Sequence, residues 1–195
     1  YPNLAAYILQ ANGSTLGPGG GASPAATAAS RVGASTPSAT DTSTFANIET
    51  FVPVSEATLL DPDPGDWLMY RRTYDGWGYS PLDQIDRSNV DSLRLAWAWT
   101  MEPGRQETTP LVHDGVMFLP QACDFIEAVD ATDGSPLWEY RRPVVDHIAT
   151  LACANRNATL YKDQLIIATM DAYLVSLNAR TGEVTWERQV GDWTV

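Results

Sequence analysis

The residues most able to do chemistry are few and lie far apart along the 195-residue chain. Cys123 and Cys153 are the only two cysteines. Two thiols can pair in an oxidising compartment, or each can serve as a small buried apolar side chain. His113 and His147 are isolated, without partners at metal-ligand spacing, and we expect His113, which stands beside a turn, to face solvent. The sequence has no glycine-rich phosphate loop and no nucleophile elbow.

The charge balance excludes two classes of partner. The chain has 24 acidic against 12 basic residues and a net charge of -12. Such a chain repels phosphate backbones and anionic membrane surfaces, so we predict no nucleic-acid partner. It also lacks an apolar run of the ~18 residues that a membrane-spanning helix requires.

The chain divides into two parts of different composition. Residues 1–46 are almost entirely Ala, Gly, Ser, Thr, Pro and Asn after the first ten positions. Such a segment cannot bury enough apolar surface to offset its loss of entropy on ordering, so we predict a disordered tether. Residues 47–195 are predicted to form the folded part.

The folded part is predicted to be a series of short strands. Apolar runs of strand length alternate with turn residues, and the Asp-Gly dipeptide at 114–115 is typical of a hairpin. No run has a convincing helical period. The predicted strands are Leu93–Trp99, Pro110–Val112, Val116–Leu119, Phe125–Val129, Leu137–Tyr140, Leu160–Tyr161, Leu165–Thr169, Leu174–Leu177 and Val184–Glu187.

An internal repeat determines the predicted fold. Residues 128–138 align without a gap with residues 176–186, at an offset of 48 residues, and Gly134 and Trp138 coincide with their counterparts. Glycine permits the positive φ of a tight turn, and tryptophan offers a flat face to a neighbouring unit. Repeats of about 40–50 residues with four strands are typical of propeller blades. We therefore predict an all-β fold, a β-propeller of which this chain forms about two four-stranded blades; two unrelated hairpins are the alternative.

Two stretches resemble a known family. Tyr79–Ile85 (YSPLDQI), followed by Asn89-Val90 and Leu95–Trp97, is similar to the opening signature of the pyrroloquinoline-quinone (PQQ) dependent alcohol dehydrogenases, which are eight-bladed quinoproteins of the bacterial periplasm. The repeat resembles the family's tryptophan-docking motif, A-x-D-x-x-T-G-x-x-x-W. Its departures are Asp133, Ser176 and Asn178. The resemblance covers about residues 50–195 and implies that the natural protein continues beyond Val195.

The resemblance implies two cofactor-binding residues. Glu107 is similar to the family's glutamate that hydrogen-bonds the quinone, and Arg156 to the arginine that contacts the quinone's carbonyl oxygens. A guanidinium is a permanent cation with paired N–H donors, which suits a tricarboxylate bearing adjacent quinone oxygens. It would also stabilise negative charge that develops when hydride arrives. A salt bridge at the rim is the alternative for both residues, and Asn157 replaces the glycine that usually follows the arginine.

The family also suggests a role for the cysteines. Many members have two adjacent, bridged cysteines over the quinone, whereas Cys153 here stands between two alanines. In a four-stranded blade, the loop that holds Cys123 and the loop that holds Cys153 emerge on the same face as Glu107 and Arg156. We therefore expect Cys153 to lie near the cofactor and Cys123 to be able to pair with it; two buried free thiols are the alternative.

The implied function is alcohol oxidation in the periplasm. Hydride would pass from a small alcohol to PQQ, with a Ca²⁺ or lanthanide ion as Lewis acid, and electrons would pass to a cytochrome c-type acceptor. The metal ligands and the general base are expected beyond Val195, so we predict no catalytic and no metal-binding residue in this chain and no activity of the chain alone. A non-catalytic propeller that binds proteins, or a propeller that has lost its quinone, is the rival interpretation.

Overall fold

Two four-stranded antiparallel sheets form the structure, a computed structural model that describes residues 48–143, 154–156 and 158–192. The sheets have the orders β1-β2-β3-β4 and β5-β6-β7-β8 and are called blade 1 and blade 2. The two-blade prediction is confirmed, while the predicted tether at residues 1–46 lies outside the described residues. The strands are β1 (Leu111–His113), β2 (Val116–Gln121), β3 (Phe125–Asp130), β4 (Pro136–Arg141), β5 (Ala158–Tyr161), β6 (Gln164–Ala168), β7 (Tyr173–Asn178) and β8 (Val184–Gln189).

Helical structure in the described ranges is limited to three short elements. The helix α1 spans Glu56–Leu60 and begins with a capping box, in which Ser55 Oγ accepts from the Thr58 amide at 3.1 Å. Five residues are too few to produce a helical period, so α1 left no signal in the sequence pattern. Single 3-10 turns occupy Val90–Ser92 and Ala122–Asp124, the second with non-helical backbone angles at Cys123. No helix among the described residues is long and apolar enough to cross a membrane.

The strand predicted at Leu93–Trp99 is wrong. None of the described strands pairs with this segment. Its tryptophans nevertheless contact blade 1, because the Trp99 indole donates to Glu127 Oε2 at 2.9 Å and Trp97 packs against the apolar face of the blade. Leu95 remains 82% exposed. Side chains that cover a blade produce the same apolar pattern as side chains of a paired strand, so the pattern alone misled the prediction.

The repeated turns have the same construction in both blades. Asp130 Oδ1 accepts from the Thr132 amide at 2.7 Å, and Asn178 Oδ1 accepts from the Arg180 amide at 2.9 Å. Each turn closes on a glycine of positive φ. The β-bulges of the two sheets also fall at equivalent positions, between residues 128 and 129 and between residues 176 and 177. The 48-residue offset thus reflects a structural repeat.

A tryptophan joins each repeated turn to the preceding part of the chain. The indole of Trp138, on β4, packs directly against Gly182 of blade 2, and its Nε1 donates to the Ala179 carbonyl at 2.9 Å. A Cβ at Gly182 would lie 2.6 Å from the Trp138 ring, so the contact requires glycine. Trp97 covers Gly134 of blade 1 in the same way, where a Cβ would lie 2.8 Å from the ring.

The main hydrophobic core lies between the two blades. Phe118 and Trp138 of blade 1 are buried together, with ring centroids 5.9 Å apart. Both belong to a cluster that continues into blade 2 and includes the buried residues Leu160, Leu165, Ile167, Val175 and Leu177. Because apolar burial is the main favourable term in folding, this shared core fixes how blade 2 sits on blade 1.

His113 is buried, and the prediction that it faces solvent is wrong. Only 4% of the residue is exposed. Nδ1 lies 2.7 Å from Asp66 Oδ2 and Nε2 lies 2.8 Å from the Val52 carbonyl oxygen. The protonated imidazole, which donates through both ring nitrogens, satisfies both of these acceptors. Burial by itself lowers the pKa of His113, but the hydrogen bond and the charge of Asp66 outweigh burial and raise it.

His113 thereby anchors residues 48–54, which we call the strap, to blade 1. Both ends of the strap reach blade 2. At one end, Val54 and Lys162 exchange backbone hydrogen bonds of 2.8 and 2.7 Å. The Arg180 guanidinium also donates to the Ile48 carbonyl at 3.0 and 3.1 Å. The strap therefore joins the blades a second time, independently of the tryptophan contact.

We predict that Gly182→Ala weakens the contact between the blades more than Gly115→Ala does. Both glycines have a positive φ, +72° and +77°, so the backbone penalty is similar. An added Cβ meets the Trp138 ring at Gly182 and nothing within 4 Å at Gly115. We expect the difference in local unfolding free energy to be about 2 kcal/mol, as is typical of overpacking. Hydrogen exchange of residues 136–141 and 178–183 in the complete gene product measures it; equal effects of the two substitutions would contradict the account.

We also predict that Asp66→Asn loosens the strap in a pH-dependent manner. Because the folded state raises the pKa of His113 above its ordinary 6.5, the contribution of this pair is fully present below that value. It is lost as the pH rises through the raised pKa. The exchange rate of the Val52 and Val54 amides should therefore increase about tenfold at low pH and progressively less above neutrality. Asp63→Asn, at a nearby exposed aspartate, is the control; a pH-independent effect of Asp66→Asn would refute this mechanism.

Candidate functional site

The loop that leads into β1 is held against the 3-10 turn Ala122–Asp124. Gly104 has a φ of +147°, and a Cβ there would lie 2.8 Å from that of Ala122. Gln106 joins the two elements, because its Nε2 donates to the Glu102 carbonyl at 2.7 Å and its Oε1 accepts from the Ala122 amide at 3.2 Å. This packing fixes the backbone immediately before Glu107.

Glu107 lies between two arginines. Arg156 Nη2 is 2.5 Å from Glu107 Oε2, and Arg105 Nε contacts Glu107 Oε1. The Glu107 side chain is 24% exposed, whereas those of Arg105 and Arg156 are 62% and 61% exposed. The Thr109 amide also donates to the Arg156 carbonyl at 3.3 Å, so the two segments are joined through their backbones as well. The structure therefore brings together Glu107 and Arg156, which are 49 positions apart.

This ion cluster favours an anionic ligand. Two guanidiniums and one carboxylate leave a local charge of about +1, within a chain of net charge -12. A guanidinium carries five N–H donors in a planar fork, and the ion pair with Glu107 engages one nitrogen of Arg156. The exposed edge of Arg156 can therefore offer donors to a planar ligand with adjacent oxygens, while Glu107 can accept from a ligand donor.

The 3-10 turn beside this cluster holds Cys123 and Asp124. It connects β2 to β3, as predicted, and both residues have a positive φ, 59° and 54°. Non-glycine residues rarely adopt this conformation, and it costs ~1–2 kcal/mol for each. Cys123 is disulfide-bonded. The other cysteine of the chain, Cys153, lies outside the described residues, so its predicted place beside the cofactor stays a prediction.

Asp124 is a buried carboxylate that connects the blades. The residue is 2% exposed. Its Oδ2 accepts from the Met170 amide at 2.7 Å and its Oδ1 from Asn155 Nδ2 at 3.3 Å. Burial raises the pKa of Asp124, although the Met170 hydrogen bond opposes this shift. Both donors belong to the blade 2 side of the chain, and Asn155 immediately precedes Arg156.

A second ionic contact supports the same junction. Arg142, which follows β4, pairs with Asp171 at 2.8 Å and with Glu187 of β8 at 2.9 Å, and its guanidinium lies 4.6 Å from the centre of the Tyr173 ring. These contacts raise the pKa of Arg142 and lower that of Asp171, in both cases against the effect of burial. The turn that presents the Met170 amide to Asp124 is thereby fixed to blade 1.

The structure places some of the predicted site residues. Glu107 and Arg156 meet as an ion pair, which is the salt bridge named as the alternative for them, and their contacts with a cofactor stay a prediction. His147, Cys153 and Asn157 lie outside the described residues. The sequence did not lead us to Arg105, although a basic residue two positions before Glu107 is close enough to pair with its carboxylate. It also missed Asp124, for which the sequence carried no signal. Within the described ranges, no group of three or more His, Cys, Asp or Glu residues could hold a metal ion.

Comparison with known proteins identifies a single family. Residues 67–187 match a protein family described as the β-propeller domain of PQQ-dependent glucose, ethanol and alcohol dehydrogenases. The dehydrogenase subunit of a quinone-type alcohol dehydrogenase from Gluconacetobacter polyoxogenes is 44% identical over 130 residues, which are 65% of this chain and 18% of that protein.

Two solved structures are similar to the chain in fold. The quinohemoprotein alcohol dehydrogenase ADHIIG from Pseudomonas putida HK5 superimposes with a TM-score of 0.68 and 33% identity, over 73% of this chain and 22% of that one. A europium-containing methanol dehydrogenase superimposes with a TM-score of 0.61 and 30% identity, over 68% and 24%. The chain thus spans about a fifth of the length of these relatives.

Proposed function

Because the chain belongs to the β-propeller family of PQQ-dependent dehydrogenases, we propose that it is part of a quinoprotein that oxidises alcohols. Its two blades supply one wall of the cofactor site. The observation that carries the proposal is the contact of Glu107 with Arg156 beside Arg105, which joins the two blades at an exposed cationic cluster. The names of the relatives support the alcohol as substrate.

The residues present fit this cofactor. PQQ is a tricarboxylate with two adjacent quinone oxygens, and the cluster offers guanidinium donors and a local positive charge. Arg156 would donate to the quinone oxygens and Glu107 would accept from a ligand N–H, while Arg105 balances the charge of Glu107. When bound, PQQ would supply the acceptor for the hydride of the alcohol. The fixed positive charge of Arg156 costs no reorganisation when negative charge develops beside it.

Other parts of the protein must complete the reaction. We propose that the general base and the ligands of a Ca²⁺ or lanthanide ion lie outside this chain. One of the similar structures is a methanol dehydrogenase that contains europium, which supports a metal in the family. Such an ion would act as a Lewis acid. The part that this chain plays is to bind the cofactor and to orient it.

We further propose a periplasmic location and a cytochrome c-type electron acceptor. The disulfide bond of Cys123 supports an oxidising compartment, since disulfides rarely persist in the cytosol. The quinohemoprotein name of one relative supports transfer of electrons to a haem protein. Both statements concern the complete protein rather than these two blades.

Quinone binding and turnover test the proposed function. The purified complete gene product, free of cofactor, is titrated with PQQ plus Ca²⁺ and separately with PQQ plus a lanthanide, and dye reduction is followed with primary alcohols. We expect Arg156→Ala to weaken PQQ binding at least tenfold, because a charge-assisted hydrogen bond contributes about 1.5–3 kcal/mol. Glu107→Gln should have a smaller effect, since the amide keeps an acceptor.

Arg87→Ala is the control, since Arg87 is an exposed arginine with no side-chain contact among those described. It should bind PQQ like the wild type. Wild-type protein that binds no quinone with either metal would overturn the proposed function and favour a protein-binding propeller. Unchanged PQQ binding in Arg156→Ala would overturn the assignment of this residue.

A further inference from the structure

We propose that Asp124 is a positioning residue for the cofactor site, acting through Asn155 on Arg156. The inference rests on the proposed function and adds to it a residue that does not itself touch the cofactor. It also names the physical link between a turn of blade 1 and the cofactor-binding arginine that leads into blade 2.

Arg156 makes two contacts with blade 1, and the residue before it makes a third. Its guanidinium pairs with Glu107 at 2.5 Å, and its carbonyl accepts from the Thr109 amide at 3.3 Å. The third contact is made by the preceding residue: Asn155 is 7% exposed, and its Nδ2 donates to Asp124 Oδ1 at 3.3 Å. The first two contacts come from the loop that leads into β1. Asp124 therefore provides a contact from a second element of blade 1.

The conformation of Asp124 is costly, and its contacts offset that cost. The residue combines a positive φ of 54° with a nearly complete loss of exposure, at 2%. A buried carboxylate is unfavourable unless hydrogen bonds compensate it. Those that we observe come from the Met170 amide at 2.7 Å and from Asn155. Strained residues that persist in a fold are common at functional sites, where they hold neighbouring groups in place.

The alternative interpretation is that Asp124 only joins the blades. It would then stabilise the junction near Met170 without influencing how Arg156 meets the cofactor. The two interpretations differ in one measurable respect. A residue that acts through Arg156 has no further effect on cofactor binding once the Arg156 side chain is removed, whereas a general structural effect persists in either background.

A double-mutant cycle on the complete gene product distinguishes them. The dissociation constant of PQQ is measured by quenching of tryptophan fluorescence in cofactor-free wild type, Asp124→Ala, Arg156→Ala and the double variant. We expect Asp124→Ala to weaken binding about tenfold in the wild-type background, as outer-shell partners of ligand-binding residues typically do. In the Arg156→Ala background the effect should be less than about twofold.

Two further variants keep the test decisive. Asn155→Ala removes the same link from the other side and replaces Asp124→Ala in the cycle if that protein does not fold. Asp163→Ala, at an exposed aspartate in the β5–β6 turn, controls for the loss of a negative charge and should bind PQQ like the wild type. Equal weakening in both backgrounds, or none in the wild-type background, overturns the positioning role. Failure of the wild type to bind PQQ is a separate outcome that overturns the proposed function.

Discussion

The close contact of the Trp138 indole with Gly182 is the interaction on which the rest of the structure depends. It joins the last strand of blade 1 to the repeated turn of blade 2, and the glycine is needed because a Cβ would lie 2.6 Å from the ring. The Ala179 carbonyl fixes the indole by accepting a hydrogen bond of 2.9 Å. Aromatic burial combined with one directional bond sets both the distance and the rotation of one blade relative to the next.

That fixed orientation explains why the ion cluster of Glu107 and Arg156, the proposed cofactor site, can form from residues far apart in sequence. Glu107 precedes the first strand of blade 1 and Arg156 precedes the first strand of blade 2, so they can meet when neighbouring blades keep one relative orientation. The strap supports that orientation near His113, and the ion pair of Arg142 with Asp171 supports it at the β6–β7 turn. Asp124 adds the contact nearest to the arginine.

The sequence predicted features that depend on local pattern. The repeat in residues 128–138 and 176–186, with Gly and Trp in register, was sufficient for the blades, since turn chemistry and aromatic docking are both encoded at fixed positions. Features that depend on tertiary contact were either not predicted or predicted wrongly. Residues 93–99 have the apolar pattern of a strand but no pairing partner among the described residues, and His113 is buried because the distant Asp66 and the strap cover it. Asp124 carried no signal because its role arises only when blade 2 is in place.

The structure of the complete gene product with bound PQQ tests the central claim most directly. The claim is that docking of the two blades creates a cationic cluster that holds the quinone. It predicts that the Arg156 guanidinium lies about 3 Å from the quinone oxygens while its contact with Glu107 is retained. A quinone bound away from this cluster, or an Arg156 side chain that contacts Glu107 but no ligand atom, would contradict the account.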